Sequence, residues 1–103
     1  MGEQAYPDVF DQATILTDAV KAVILSKHPE VSDFFQLIPM VLRTPDEVRQ
    51  SMSDPRTVLY YRYEASVLYG KWIVVVVKRT ERNFVSTIYA TDKIKSGDVL
   101  WKK

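Results

Sequence analysis

Lys71-Trp72-Ile73-Val74-Val75-Val76-Val77-Lys78-Arg79 is the stretch of sequence that decides the fold. A short run of β-branched and apolar residues is typical of a central strand that is buried on both faces. Thr80-Glu81-Arg82-Asn83 follows and predicts a tight turn, because asparagine tolerates the left-handed backbone conformation. Residues 84–91 then alternate in polarity, as a half-buried strand does. The sequence therefore predicts an antiparallel hairpin at the centre of a sheet.

Two further segments extend this sheet. Residues 57–63 are rich in β-branched and aromatic side chains and predict a strand that precedes the hairpin. Ser96-Gly97-Asp98 predicts a turn, and Val99-Leu100-Trp101 after it fits either an edge strand or a packed tail. We therefore expect three to four antiparallel strands in the second half of the chain.

Helical signals occupy the first half of the chain. Thr17-Asp18 is an N-cap pair that is followed by apolar residues at helical spacing. Pro29 ends this helix, because the residue before a proline is pushed out of the α region. A second helix is expected over residues 30–42, with a kink or break at Pro39, since proline lacks a backbone donor.

Three other segments carry weaker signals. Thr44-Pro45-Asp46-Glu47 has the pattern of a helix start and predicts a short helix through Met52. Residues 1–8 are polar and contain Pro7, and we expect them to be frayed. Residues 9–16 fit either a short strand or the start of a helix.

Helices that precede a run of strands indicate the α+β class. We predict one domain over residues 1–103, with N-terminal helices packed on one face of an antiparallel sheet of three to four strands. The length and the 47% hydrophobic content suit a single core.

Composition also narrows the function. The chain has no cysteine, which removes disulfides and thiolate chemistry, and no signal peptide or membrane-spanning run is visible. We therefore expect a cytoplasmic protein without a membrane partner. Residues 1–55 carry nine acidic and four basic residues, whereas residues 56–103 carry four acidic and ten basic residues. A basic sheet suits a polyanion such as RNA, but basic residues also protect sheet edges from aggregation.

His28 is the only histidine, and Glu30 follows two residues later. Metal-free RNA cleavage needs an acid, a base and cations for the phosphate; His28 suits the first two roles, and Lys71 and Arg62 suit the third. The alternatives are structural, because His28 can cap a helix end and Glu30 suits a helix dipole. One histidine without cysteine cannot build a His/Cys metal site, and we expect no cofactor.

Several stretches, in this order, resemble a known family. They are Leu16-Thr17-Asp18, His28-Pro29-Glu30, Pro45-Asp46-Glu47-Val48, the segment from Gly70 to Lys78, the segment from Phe84 to Gly97, and Leu100-Trp101. This order is similar to the small phage and bacterial branch of the nuclease superfamily that groups barnase, EndoU, colicin-type tRNases and RelE toxins, called the BECR fold. The resemblance implies a metal-independent ribonuclease-like protein, either a toxin or an RNA-processing effector.

The resemblance also selects the candidate site. The catalytic candidates are His28, Glu30, Lys71, Thr87 and Tyr89. The candidates for binding RNA phosphate are Lys71, Arg62 and Lys93. Partners expected on this hypothesis are RNA, a cognate antitoxin or other protein, and a second copy of the chain.

One position departs from the family pattern, and it supports a rival hypothesis. Val23 stands where many relatives carry a further histidine, one helical turn before His28. The rival is a non-catalytic binding module of the same fold, which binds a protein partner or RNA through its sheet. The two hypotheses differ in geometry, because catalysis requires His28, Lys71 and Thr87 to meet in one cleft.

Overall fold

The computed structural model describes residues 2–103 and contains a seven-stranded sheet. Its strands are β1 (Glu3–Pro7), β2 (Ala13–Thr17), β3 (Glu47–Ser51), β4 (Thr57–Glu64), β5 (Lys71–Arg79), β6 (Asn83–Thr91) and β7 (Gly97–Lys102). The helices are α1 (Asp18–Lys27), a 3₁₀ helix (Pro29–Leu37) and α2 (Ile38–Arg43). The strand order is β1-β2-β6-β5-β4-β3-β7, and β2 with β6 is the parallel pair of this otherwise antiparallel sheet.

The predicted fold class is wrong, because the sheet has seven strands and is mixed, and because a hairpin precedes the helices. The hairpin consists of β1 and β2, with Glu3 opposite Thr17 and Pro7 opposite Ala13. A strand thus occupies most of the segment that we expected to be frayed; Met1 lies outside the described residues. Long-range pairing of β2 with β6 resolves the ambiguity of residues 9–16 in favour of a strand.

The helix predicted through Met52 is also wrong, because β3 takes its place. The Asp46 backbone N–H donates to the Tyr61 carbonyl at 2.8 Å, and the Asp46 carboxylate accepts from the Tyr63 N–H at 2.8 Å. These bonds pair the segment with β4 and leave Val48 fully buried. Pairing and burial outweigh the local capping pattern, as tertiary contacts commonly do.

The helix predicted over residues 30–42 is divided into two elements. It forms the 3₁₀ helix as far as Leu37, and α2 then starts with Pro39 in its first turn. Pro39 cannot continue an α-helix from the preceding turn, because it lacks an N–H and clashes with the carbonyl of Phe35. The start of α1 is confirmed: the Thr17 side chain accepts from the Val20 N–H at 3.1 Å.

The predicted central hairpin of β5 and β6 is confirmed. The segment that fitted either an edge strand or a packed tail forms an edge strand, β7. The face covered by the helices, here called the helical face, contains the main core. Its sheet residues include Val58, Tyr60, Ile73, Val75, Val77 and Ile88. The other face, here called the opposite face, holds a smaller cluster of Leu59, Tyr61, Val74 and Val76.

Residues 92–96 cover part of the opposite face. They join the end of β6 to β7 on the far side of β5, β4 and β3, so they cross these three strands. The Lys95 N–H donates to the Tyr61 hydroxyl at 3.2 Å, and the Lys95 carbonyl accepts from Arg49 at 3.1 Å. Ile94 packs against the smaller cluster. Among the described residues, no helix has the length and apolar character needed to cross a bilayer.

A buried carboxylate links the N-terminal hairpin to the centre of the sheet. Asp8 is fully buried, and its carboxylate accepts from the Phe10 and Gln12 N–H groups at 2.9 Å and from the Tyr60 hydroxyl at 2.6 Å. Burial and this bond to Asp8 raise the pKa of Tyr60, so the hydroxyl stays a neutral donor. A buried carboxylate needs such partners, because an unpaired one is costly.

We predict that Tyr60→Phe destabilises the protein by about 1–3 kcal/mol, because Asp8 loses a buried hydrogen-bond donor. Urea unfolding of the variant and the wild type measures this difference. Tyr63→Phe is the matched control, since Tyr63 lies on the same strand and is 48% exposed. Equal losses in the two variants would contradict the role assigned to the Asp8 contact.

The lowered pKa of Asp54 makes the stability of the fold depend on pH. Hydrogen bonds from Lys78 Nζ at 2.7 Å, the Arg56 N–H at 3.0 Å and the Thr57 hydroxyl at 3.1 Å lower the pKa of Asp54 from 3.8 to about 2. A folded-state pKa below the unfolded value gives stability that is fully present above the unfolded pKa and is lost as pH falls through the folded value.

The wild type should therefore be more stable than Asp54→Asn at pH 5 and above, and the difference should shrink as pH falls below about 4 and disappear below about 2. Thermal unfolding of both proteins across this range measures the effect. Asp98→Asn, at an exposed position of β7, is the control and should show a pH dependence like that of the wild type. A difference that is undiminished at pH 2 would contradict the assignment.

Candidate functional site

His28 and Glu30 lie together at the junction of α1 and the 3₁₀ helix. The His28 N–H donates to the Ile24 carbonyl at 2.8 Å and so closes the last turn of α1. His28 Nδ1 lies 3.4 Å from Glu30 Oε2, and the two side chains are 55% and 68% exposed. The structure thus brings together the two candidates that are adjacent in sequence, in an open and solvated position.

Thr87 and Tyr89 lie on the other side of the sheet. Their partners on β5 are Val76 and Val74, which belong to the opposite-face cluster. Ser86 is the extra residue of a β-bulge, and it sets which face these side chains occupy. Since the helices pack on the helical face, the sheet lies between the Thr87 side chain and the His28–Glu30 pair, whereas Tyr89 also lines a cavity that Glu30 lines.

The candidate cations are engaged elsewhere. Lys71 shares its side of β5 with Ile73, and its ammonium group pairs with Asp92. Arg62 donates to the Thr44 carbonyl at 2.6 Å and to the Thr44 hydroxyl at 3.3 Å, so its guanidinium binds the C-cap of α2.

Lys93 is exposed and lies in the connection between β6 and β7, which crosses the opposite face of the sheet. The catalytic and phosphate-binding roles assigned from sequence stay predictions. Of the seven candidates, Glu30 and Tyr89 line one cavity, and the other five do not line it.

The basic character of the second half of the chain is partly neutralised within the fold. Lys78 pairs with Asp54 at 2.7 Å, and Arg82 pairs with Glu3 at 2.7 Å. Both pairs join a basic residue of the second half to an acidic residue of the first half. These pairs neutralise part of the positive charge of the second half within the fold.

A cavity lies between the 3₁₀ helix and the β4–β5 loop, residues 65–70, and is here called the acidic groove. Its volume is about 810 Å³. Its apolar lining is formed mainly by Val31, Phe34, Leu37, Met40, Val67 and Leu68. Its polar lining includes Glu30, Asp33, Gln36 and Glu64. Among the described residues, neither Lys nor Arg lines it.

The 3₁₀ geometry explains how one short helix lines this groove with both apolar and acidic side chains. Side chains three residues apart eclipse in a 3₁₀ helix, which has three residues per turn. Val31 and Phe34 form one row and are buried, whereas Glu30 and Asp33 form a neighbouring, exposed row. A 3₁₀ helix from Pro29 to Leu37 is long for its type, since runs beyond about four residues are uncommon.

Two of the groove carboxylates have no intramolecular cation. Among the ion pairs of residues 2–103, none involves Asp33 or Glu64. Lys71 is the β-sheet partner of Glu64, but its ammonium group pairs with Asp92. The carboxylates do not form a metal site either: no cluster of three metal-ligating residues occurs in the described part of the chain.

The β4–β5 loop forms the other wall and carries backbone strain. Leu68, Tyr69 and Gly70 have φ values of 47°, 66° and 103°. Positive φ in a non-glycine residue costs on the order of 1–3 kcal/mol and is found often at functional sites. The conformation directs Leu68 and Tyr69 toward solvent, where they are 65% and 104% exposed.

Comparisons with family models, with curated proteins and with solved structures find no match to this chain. The resemblance to the BECR superfamily accordingly stays a prediction from sequence. Sequence reasoning selected Glu30 but missed the groove to which it belongs. The sequence carried a partial signal, because Pro39 predicts a break near residue 38, but nothing in residues 30–37 distinguishes a 3₁₀ helix from an α-helix.

We predict that Gly70→Ala destabilises the protein by about 1–3 kcal/mol, because alanine resists positive φ. An added Cβ would also collide with the Tyr63 hydroxyl. Gly2→Ala is the control, since a Cβ at residue 2 would lie 3.4 Å from Asp18 Oδ2, which is an ordinary van der Waals separation. Urea unfolding measures both variants, and a neutral Gly70→Ala would show that the loop is not constrained as described.

Proposed function

We propose that the chain is a non-catalytic binding module whose acidic groove receives a polypeptide segment of a partner protein. The observation that carries this proposal is the exposure of apolar side chains at the groove. Met40 is 42% exposed and Leu68 is 65% exposed, and both line the same cavity. Exposed apolar surface rimmed by polar residues is typical of sites that bind other proteins.

The distribution of polar residues supports a binding role over catalysis. Acid–base catalysis needs its groups within hydrogen-bond reach of one substrate. Here the sheet lies between His28 and Thr87, and Lys71 and Arg62 are engaged within the fold. The ribonuclease hypothesis therefore lacks a shared cleft to support it.

The charge of the groove supports a protein partner over RNA. Three carboxylates, those of Glu30, Asp33 and Glu64, line it. RNA binding relies on Lys and Arg to neutralise phosphates, and carboxylates repel them. The sheet is a poor alternative surface, because the helices cover one face and residues 92–96 cross the other.

We predict that peptides selected from a random 16-residue library on the wild-type protein bind in the groove. Met40→Glu places a charge on the apolar lining and should weaken the selected peptides about tenfold or more. Met52→Glu is the matched control, since Met52 is 78% exposed and does not line the groove, and it should bind like the wild type. Fluorescence anisotropy with labelled peptides measures the affinities.

Failure to enrich any peptide, or equal binding by the two methionine variants, would contradict the proposal. A labelled mixed RNA incubated with the protein in EDTA gives a second test, and we expect the RNA to stay intact. Cleavage by the wild type that is lost in both His28→Ala and Lys71→Ala would replace the binding proposal with the ribonuclease hypothesis.

A further inference from the structure

The regular spacing of the polar side chains along the 3₁₀ helix and the negative charge of the groove together specify the chemistry of its occupant. We infer that the bound segment is a cationic amphipathic α-helix with Lys or Arg residues four positions apart. This inference rests on the proposed function of the groove, and it adds the class of partner and its register.

The spacing comes from the 3₁₀ helix. This helix rises about 2.0 Å per residue, so residues three apart are separated by about 6 Å along its axis. Glu30, Asp33 and Gln36 follow one another at this interval and all line the groove. The wall therefore offers two carboxylates and an amide in a row of regular spacing.

An α-helix reproduces this spacing on one of its faces. It rises 1.5 Å per residue, so side chains four positions apart are about 6 Å apart along the axis and lie on the same side. A partner helix that runs alongside the 3₁₀ helix can therefore place one cation beside Glu30 and the next beside Asp33. An i, i+4 pair of Lys or Arg residues matches the row without distortion of either helix.

Two of the three groove carboxylates have no intramolecular cation, and the third, that of Glu30, lies 3.4 Å from His28. Asp33 and Glu64 take part in none of the ion pairs of the described chain, and Lys71, the strand neighbour of Glu64, pairs with Asp92. A cationic partner meets complementary charge here, whereas an acidic partner meets repulsion.

The apolar part of the groove fixes which face of the partner enters. Phe34, Met40 and Leu68 line the same groove as the row on the 3₁₀ helix and Glu64. An amphipathic helix carries its apolar residues on one stripe with charged residues beside it. Such a helix buries its apolar stripe on these side chains and leaves its cations at the acidic rim, which is a recurring mode of peptide recognition.

The test uses two acetylated, amidated 18-residue peptides with the same leucine stripe. One carries four lysines in i, i+4 pairs beside the stripe, and its twin carries glutamates at the same positions. Binding to the full chain is measured by fluorescence anisotropy at low and high salt. We expect the lysine peptide to bind about fivefold to thirtyfold tighter than its twin at low salt, with the difference shrinking as salt rises.

The matching protein variant is Glu30→Gln with Asp33→Asn, which keeps the shape of the row and removes its charge. It should lose about fivefold to tenfold in affinity for the lysine peptide. Glu81→Gln with Asp98→Asn is the control, because both residues are exposed and neither lines the groove. This control should bind like the wild type.

The outcomes separate the two proposals. If both designed peptides bind equally and Met40→Glu abolishes binding, the groove binds polypeptides and the cationic inference is wrong. If neither designed peptide binds while library-selected peptides without basic pairs do, the inference is also wrong and the proposed function stands. If no peptide of any kind responds to Met40→Glu, the proposed function itself is wrong.

Discussion

The buried carboxylate of Asp8 is the contact on which the rest of the arrangement depends. It satisfies two backbone N–H groups of the β1–β2 turn and accepts from Tyr60 at the middle of β4. Arg43, the last residue of α2, donates to the Asp8 carbonyl at 2.7 Å and to the Asp11 carboxylate at 2.7 Å. One turn therefore ties the N-terminal hairpin to the central sheet and to the end of the helical layer.

This tie also positions the acidic groove. Thr17 is both the last residue of β2 and the N-cap of α1, so the hairpin fixes where α1 begins. Arg43 fixes where α2 ends, and the 3₁₀ helix spans the interval between the two helices. Pro39 ends this segment, because proline cannot continue a helix from the preceding turn. The spacing of the groove carboxylates follows from the 3₁₀ geometry of residues 29–37.

Sequence reasoning succeeded where local and tertiary preferences agree, as in the cap of α1 at Thr17 and the hairpin of β5 and β6. It failed where pairing over a long distance outweighs local pattern, as at Val48, whose preceding residues have the pattern of a helix start. Within the candidate site, residues close in sequence were placed together correctly, as with His28 and Glu30. Thr87 could not be placed, because the bulge at Ser86 and the packing of the helices on one face decide its position.

The central claim is that the functional surface is the acidic groove rather than the opposite face of the sheet. The most direct measurement is a titration of the ¹⁵N-labelled protein with the lysine peptide, followed by backbone amide chemical shifts. The account predicts that the shifts that change most belong to the 3₁₀ helix and to residues 64–70, with residues 93–96 unaffected. Changes concentrated at residues 93–96 and at the Tyr61 amide, with the 3₁₀ helix unaffected, would contradict it.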